Sequence, residues 1–207
     1  MRLYSYVVRY DSGFAPNPFY GCCTLATCKP SIRRTAEVGD WIVGTGSDSQ
    51  QVQRGGHLVY AMRVGDILTF EAYDADPRFQ VKKPYRHGSR KQSCGDNIYH
   101  RGAADQQWLQ RDSFHSNVDG SRRSDHVQRD TGVNRVLASD RFVYFGGDGP
   151  KIPTELRTAD GRPLSKAGIG YYVFDDPTFI ARVESWLMSL DVHGYQGPPF
   201  EWISLRD

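Results

Sequence analysis

The sequence predicts one α+β domain, built on a small, strongly bent β-sheet over residues 1–80. Three observations carry this. Short β-rich runs, Leu3–Arg9, Trp41–Thr45 and His57–Val64, alternate with glycine and proline turns. Regular patterning then fails, leaving an irregular basic insertion over 81–134. The pattern returns over 135–207 as strands and a C-terminal helix with a clear cap and one apolar stripe.

Leu3 to Arg9 is a strand that ends at the turn Asp11-Ser12-Gly13. Phe14 to Gly21 holds Pro16 and Pro18, which fix φ and bias their predecessors to extended geometry, so this is a stiff aromatic loop. Cys22 to Cys28 is a short apolar run. After Pro30, Ser31 is expected to cap a helix of one or two turns. Gly39-Asp40 turns the chain into a buried strand, Trp41–Val43, that ends in Gly44-Thr45-Gly46-Ser47. Glycines there are expected to let a ligand approach the backbone, with the hydroxyls satisfying it. Residues 67–73 fit a strand or a short helix. Two further runs, Arg135–Ser139 and Phe142–Gly146, restart the β pattern. Near the end Asp176 caps a helix with Pro177 in its first turn, and Phe179, Ile180, Val183, Trp186, Leu187 and Leu190 make its core stripe.

An apolar fraction of 39% with 13% aromatics is enough for a core. No run approaches the roughly 20 apolar residues of a membrane helix, and Met1–Tyr10 lacks a signal peptide's apolar block, so a cytoplasmic protein with no membrane partner is expected. Cys22 and Cys23 are adjacent, which argues against a disulfide framework. The net charge is only +2, yet Arg78–Arg135 holds twelve Lys and Arg against six Asp. That concentration suggests a phosphate-bearing partner, the alternative being a solvated loop surface. Walker, dinucleotide, nucleophile-elbow and zinc-deaminase motifs are all absent, so no familiar reaction is legible and no cofactor is expected.

Two resemblances emerge from these residues. The order strand, irregular loop, short helix, Val38-Gly39-Asp40-Trp41-Ile42-Val43 and Gly55-Gly56-His57-Leu58-Val59 resembles the opening of PUA-like and EVE-type domains, which receive a modified or extruded base. A broader match is carried by Phe14-Ala15-Pro16-Asn17-Pro18-Phe19, Cys22–Pro30, Gly39–Ser47, Gly95-Asp96-Asn97-Ile98-Tyr99-His100 and Phe142–Gly146. These blocks are similar to the second family of nucleotide modification associated domains, components of DNA base hypermodification systems of phages and bacteria. That resemblance implies a link to modified nucleotides, with a nucleotide or nucleic acid as partner, DNA before RNA. It fixes no reaction.

A base pocket needs an apolar wall and a few edge-reading groups. Trp41, Phe14, Phe19 and Tyr20 are the stacking candidates, and Asn17, Thr45, Ser47 and Asn97 the polar ones. The bland alternative makes Trp41 and Phe19 core residues. Arg9, Lys29, Arg33 and Arg34 are the cations suited to a phosphate. Asp96, His100 and His115 form the acid–base set, since a carboxylate can orient a histidine that moves protons near neutral pH; Gly95-Asp96-Asn97 is otherwise a plain turn. A zinc site from Cys22, Cys28, Cys94 and His100 is not expected, because five residues separate each pair where zinc ligands usually stand closer. Three readings follow: a component of base modification, binding or acting on a nucleobase; a non-catalytic reader of an extruded modified base; and a nucleotide-sensing or toxin-like defence protein.

Overall fold

A computed structural model describes residues 1–103 and 106–203. The elements run in order from β1 (Leu3–Val8) and β2 (Cys23–Leu25) to α1 (Pro30–Thr35), β3 (Trp41–Gly46) and β4 (Leu58–Arg63). Then come β5 (Asp66–Leu68), α2 (Phe70–Ala75), a 3-10 turn (Pro77–Lys82), α3 (Arg90–Ser93), β6 (Tyr99–Arg101), β7 (Trp108–Gln110) and α4 (Ser124–Thr131). The chain closes with β8 (Val136–Ser139), β9 (Phe142–Tyr144), β10 (Tyr171–Phe174), α5 (Pro177–Ser189), β11 (Gly194–Tyr195) and α6 (Phe200–Ile203).

The fold is mixed α+β with an open sheet, and the chain weaves between two compact units. The first comprises Met1–Ser12, Glu37–Val64 and Asp140–Asp207; the second comprises Gly13–Ala36 and Gly65–Ser139. The segment expected to form one β core over 1–80 is therefore shared between them.

In the first unit, six strands run in the order β10-β1-β3-β4-β9-β11, with β10 and β11 as the two free ends. β1 and β3 are parallel, pairing Leu3 with Trp41 through Val8 with Gly46, and β3 and β4 are antiparallel. α5 forms as the sequence predicts: the Asp176 side chain accepts the Thr178 N–H at 2.9 Å and Pro177 occupies the first turn. Its stripe, Phe179, Ile180, Val183 and Leu187, packs into one core with Leu3, Trp41, Val43, Ala61 and Phe174.

In the second unit, β2, β8 and β5 form an antiparallel sheet and β6 pairs with β7. Residues 66–75 resolve the strand-or-helix ambiguity by being both, β5 and then α2, because Thr69 caps the helix by accepting the Ala72 N–H. The insertion over 81–134 is more regular than expected. It holds α3, β6, β7 and α4, tied in by Ile98, Tyr99 and Val127, which share a core with Phe14, Phe70, Tyr73, Phe79 and Val136. The polar composition hides this order because each element is short and buries at most two side chains. α1 starts one residue before the expected cap: Pro30, with its preset φ, takes the first helical position, and Lys29 stands at the N-cap with φ 40°.

Candidate active site

The first unit holds four of the nucleotide-binding candidates. Arg9 is exposed, its guanidinium 5.2 Å from the Tyr10 ring centroid. Trp41 lies in the core. The Thr45 hydroxyl donates to the Tyr6 carbonyl at 3.3 Å, and the Ser47 hydroxyl accepts the Ser49 N–H. The glycines beside them leave no room for a ligand. A Cβ on Gly44 would fall 2.3 Å from the Tyr60 ring, and one on Gly46 would fall 2.1 Å from the Arg54 carbonyl oxygen. Their bareness serves close packing within the unit.

In the second unit, three candidates converge on Lys82. This lysine is buried, and its ammonium donates to the Asn17 carbonyl at 3.1 Å, the Asn17 Oδ1 at 2.7 Å and the Cys22 carbonyl at 2.8 Å. Asn17, fully buried, also donates to the Gly13 and Cys94 carbonyls. Asp96 accepts from the Thr24 and Tyr73 hydroxyls, each at 2.7 Å, and burial raises its carboxyl while the Lys82 charge opposes the rise. The Asn97 amide donates to the Tyr73 and Phe79 carbonyls. These groups are a buried polar core, met from within except at Asn97 Oδ1, which has no hydrogen-bond partner among the described residues. Phe19 is buried under the Lys91 ammonium, 5.8 Å from its ring centroid. His100 sits on β6, held below its ordinary pKa by burial and by the Arg111 charge.

The third acid–base candidate, His115, lies in a different setting. Its Nε2 is 3.5 Å from the Cys28 sulfur, and its Nδ1 is 2.7 Å from Asp130 Oδ2. A thiol, an imidazole and a carboxylate therefore stand in line, with the ring between the other two. This is the arrangement of a nucleophile, a base and the group that orients the base.

Each member is placed by local structure. Cys28 ends the run after β2 in the left-handed region, φ 57°, and Lys29 and Pro30 then start α1. This sharp turn leaves the thiol half-buried, while Cys23 and Cys94 are fully covered. His115 is buried, its N–H donating to the Ser113 hydroxyl and its carbonyl accepting from the Gln110 side chain at 2.9 Å. The Phe14 ring meets the imidazole edge-on at 4.7 Å. Asp130 lies near the end of α4, where helical spacing sets His126, Arg129 and Asp130 on one side. The His126 ring contacts His115 at 4.4 Å.

Asp130 is fully buried and saturated with donors. Beyond His115, its Oδ2 accepts from the Tyr99 hydroxyl at 2.9 Å, and its Oδ1 accepts from Arg129 Nε at 3.1 Å and from the Cys28 N–H at 3.2 Å. Arg33 locks the frame. Its buried guanidinium donates to the carbonyls of Cys28 (2.9 Å), Val133 (2.7 Å), Arg135 (2.7 Å) and Asp130 (2.7 Å), so one side chain holds two of the three members in register.

The electrostatics agree with the geometry. Burial lowers His115, but the Asp130 hydrogen bond, the Cys28 contact and the Asp130 charge outweigh it and push the ring up to about 9. Burial raises Asp130, yet the hydrogen bond and charge of His115, with Arg129, hold it well below the usual carboxylate range. At neutral pH His115 therefore carries a proton beside the sulfur. Among the described residues, no group of three or more His, Cys, Asp or Glu is arranged to hold a metal ion.

His115 is visible in the sequence as a lone histidine in a polar loop, whereas Cys28 is considered there only for zinc and Asp130 not at all. The signal for Cys28 was its place just before Pro30 and a short helix. Asp130 gave none, because 102 residues separate it from Cys28.

No curated protein and no solved structure matches the chain. A family model does: nucleotide modification associated domain 2, over residues 1–206, which includes all three members of the Cys28–His115–Asp130 line. The chain therefore belongs to the nucleotide modification associated domain 2 family.

Proposed function

We propose that the protein is a thiol-dependent enzyme of nucleotide modification, with Cys28 as nucleophile, His115 as general acid and base, and Asp130 as the group that orients and charges the ring. The single observation that carries this is the unbroken line from sulfur through imidazole to buried carboxylate. The reaction class that suits it is group transfer at an sp2 carbon of a nucleotide or modified base, such as an amide or ester substituent. The Cys28 sulfur forms a bond to that carbon as the bond to the leaving nitrogen or oxygen breaks. His115 Nε2 gives its proton to the leaving group. Water then attacks the thioester carbon, one of its protons passing to His115 Nε2, and the C–S bond breaks with its electron pair going to sulfur, which restores the thiolate–imidazolium pair from which the reaction starts.

The family's link to nucleotide modification and the basic character of residues 78–135 support a nucleotide as substrate. In this reading the protein works in the cytoplasm, on DNA before RNA, and its Gly39-Asp40 turn into a strand is the PUA-like feature of the fold. Arg9, exposed in the first unit, remains a candidate phosphate contact. The test is mass spectrometry of nucleosides from cells expressing the wild type, Cys28→Ser or His115→Ala. A new or missing modified nucleoside with the wild type alone is expected. The same change with Cys28→Ser would overturn the assignment and leave a reader of modified bases.

A further inference from the structure

The charge of the chain is divided unevenly between the two units. The second carries fifteen Lys and Arg against ten Asp and Glu, whereas the first carries eleven against fourteen. This balance does not depend on which side chains are paired, because an ion pair within a unit leaves that unit's net charge unchanged. Residues 77–95, in the second unit, hold six Lys and Arg and no Asp or Glu, and of the six only Lys82 is buried. Part of this stretch folds as an exposed lobe. The Tyr85 N–H donates to the Gln92 carbonyl at 2.9 Å, Ser89 and Gln92 close a capping box at the start of α3, and Arg90 and Lys91 on that helix are exposed.

Large rings stand out from the same unit: Tyr85 is 58% exposed, and Tyr20 and Phe114 are each 44% exposed. Cations are interleaved with them. The Arg86 guanidinium lies 4.8 Å from the Phe114 ring centroid. The Lys91 ammonium lies 5.8 Å from the centroid of Phe19, whose ring meets Tyr20 edge-on at 6.4 Å. Tyr85 is next to Arg86 in the chain and bonded to the neighbour of Lys91, so rings and cations form one strip. Asp112 is a carboxylate that meets it, 3.9 Å from Arg86. Phe114 joins the strip to the reactive line. Its ring is 5.7 Å from that of Phe14, which meets the His115 imidazole at 4.7 Å.

Resting on the reading of an enzyme that modifies nucleotides of DNA, we propose that this strip is a docking surface for single-stranded DNA, with Phe114 at the end nearest the reactive line. An exposed ring gains from a flat partner, and an unpaired base supplies one, while the phosphates on either side of it meet the cations. A duplex brings the same phosphates but keeps its bases stacked on one another. An acidic peptide brings charge without flat faces. Only an unpaired strand matches both halves of the pattern, alternating rings and positive charge.

The test is fluorescence anisotropy of a short labelled DNA strand of mixed sequence titrated with the full chain at several salt concentrations. Tyr85→Ala and Phe114→Ala should each raise Kd about tenfold, the loss of one stacked base. Tyr85→Phe, which keeps the ring, should bind as the wild type does. Arg86→Gln should reduce the slope of log Kd against log salt by about 0.7, the loss of one phosphate contact. Tyr85 stands clear of the core, so its variants keep the fold, which an unchanged melting temperature checks. The same strand annealed into a duplex, its RNA counterpart and polyglutamate serve as comparison probes. A duplex or polyglutamate bound as tightly as the single strand overturns the proposal, as do alanine variants that bind like the wild type. RNA bound more tightly than DNA overturns the assignment to DNA. The thiol-enzyme reading is decided by a different measurement, the nucleosides of cells carrying Cys28→Ser, so either can fail while the other stands.

Discussion

Replacing Asp130 by Asn tests the charge coupling on which the candidate site depends. The substitution keeps the size of the side chain and an oxygen able to accept the Cys28 N–H, but it removes the negative charge 2.7 Å from His115 Nδ1. Lifting His115 from its ordinary 6.5 to about 9 corresponds to roughly 3 kcal/mol of preference for the imidazolium. Without the carboxylate, burial prevails and the ring should titrate below 6.5. The sign follows from the direction of the shift. A histidine raised in the folded state contributes stability that is fully present below about 6.5 and is lost as pH rises through about 9. The stability gap between wild type and Asp130→Asn should therefore be widest near pH 6 and narrow above pH 9 by roughly 3 kcal/mol. NMR titration of the His115 ring carbon-bound proton reads the pKa, and urea unfolding at several pH values reads the gap. A wild-type midpoint near 6.5, or a midpoint near 9 that survives the substitution, would refute the coupling.

Three further substitutions probe the scaffold. Arg33→Met leaves four carbonyls without their donor, in two fully buried and two partly buried hydrogen bonds, and should cost about 3 kcal/mol, since each orphaned buried group costs about 1–3 kcal/mol; an unchanged melting temperature would contradict the clamp. Lys82→Met removes the ammonium shared by Asn17 and Cys22 and leaves Asp96 buried without a countercharge, so a loss of about 3–5 kcal/mol in denaturant unfolding is expected. Gly44→Ala drives a methyl into the Tyr60 ring and the Val8 side chain and should destabilise by about 1–3 kcal/mol, measured the same way. A neutral Gly44→Ala would reopen that strand end as ligand space.

Local rules made much of the fold legible. The β1, β3 and β4 strands follow from short β-rich runs bounded by glycine turns, and α5 follows from an Asp-Pro start and an apolar stripe. Of the proposed Cys28–His115–Asp130 site, the sequence named only His115 as an acid–base residue. Asn17, Arg33 and Asp96 look like ligand-facing groups because polar residues are usually exposed, and a sequence does not reveal that their partners are carbonyls and hydroxyls of the same chain. Lys82 carried no signal as a buried charge for the same reason.

Strands β1, β3 and β4, helix α5, the family blocks and the concentration of basic residues are properties of neighbouring positions, so the chain's letters determine them directly. The meeting of Cys28, His115 and Asp130 is different in kind. It needs the turn after β2, the loop after β7 and the end of α4 to close over one core, with Arg33 binding the carbonyls between them. Positions 28, 115 and 130 share no periodicity, so only packing could decide that this thiol, imidazole and carboxylate would meet.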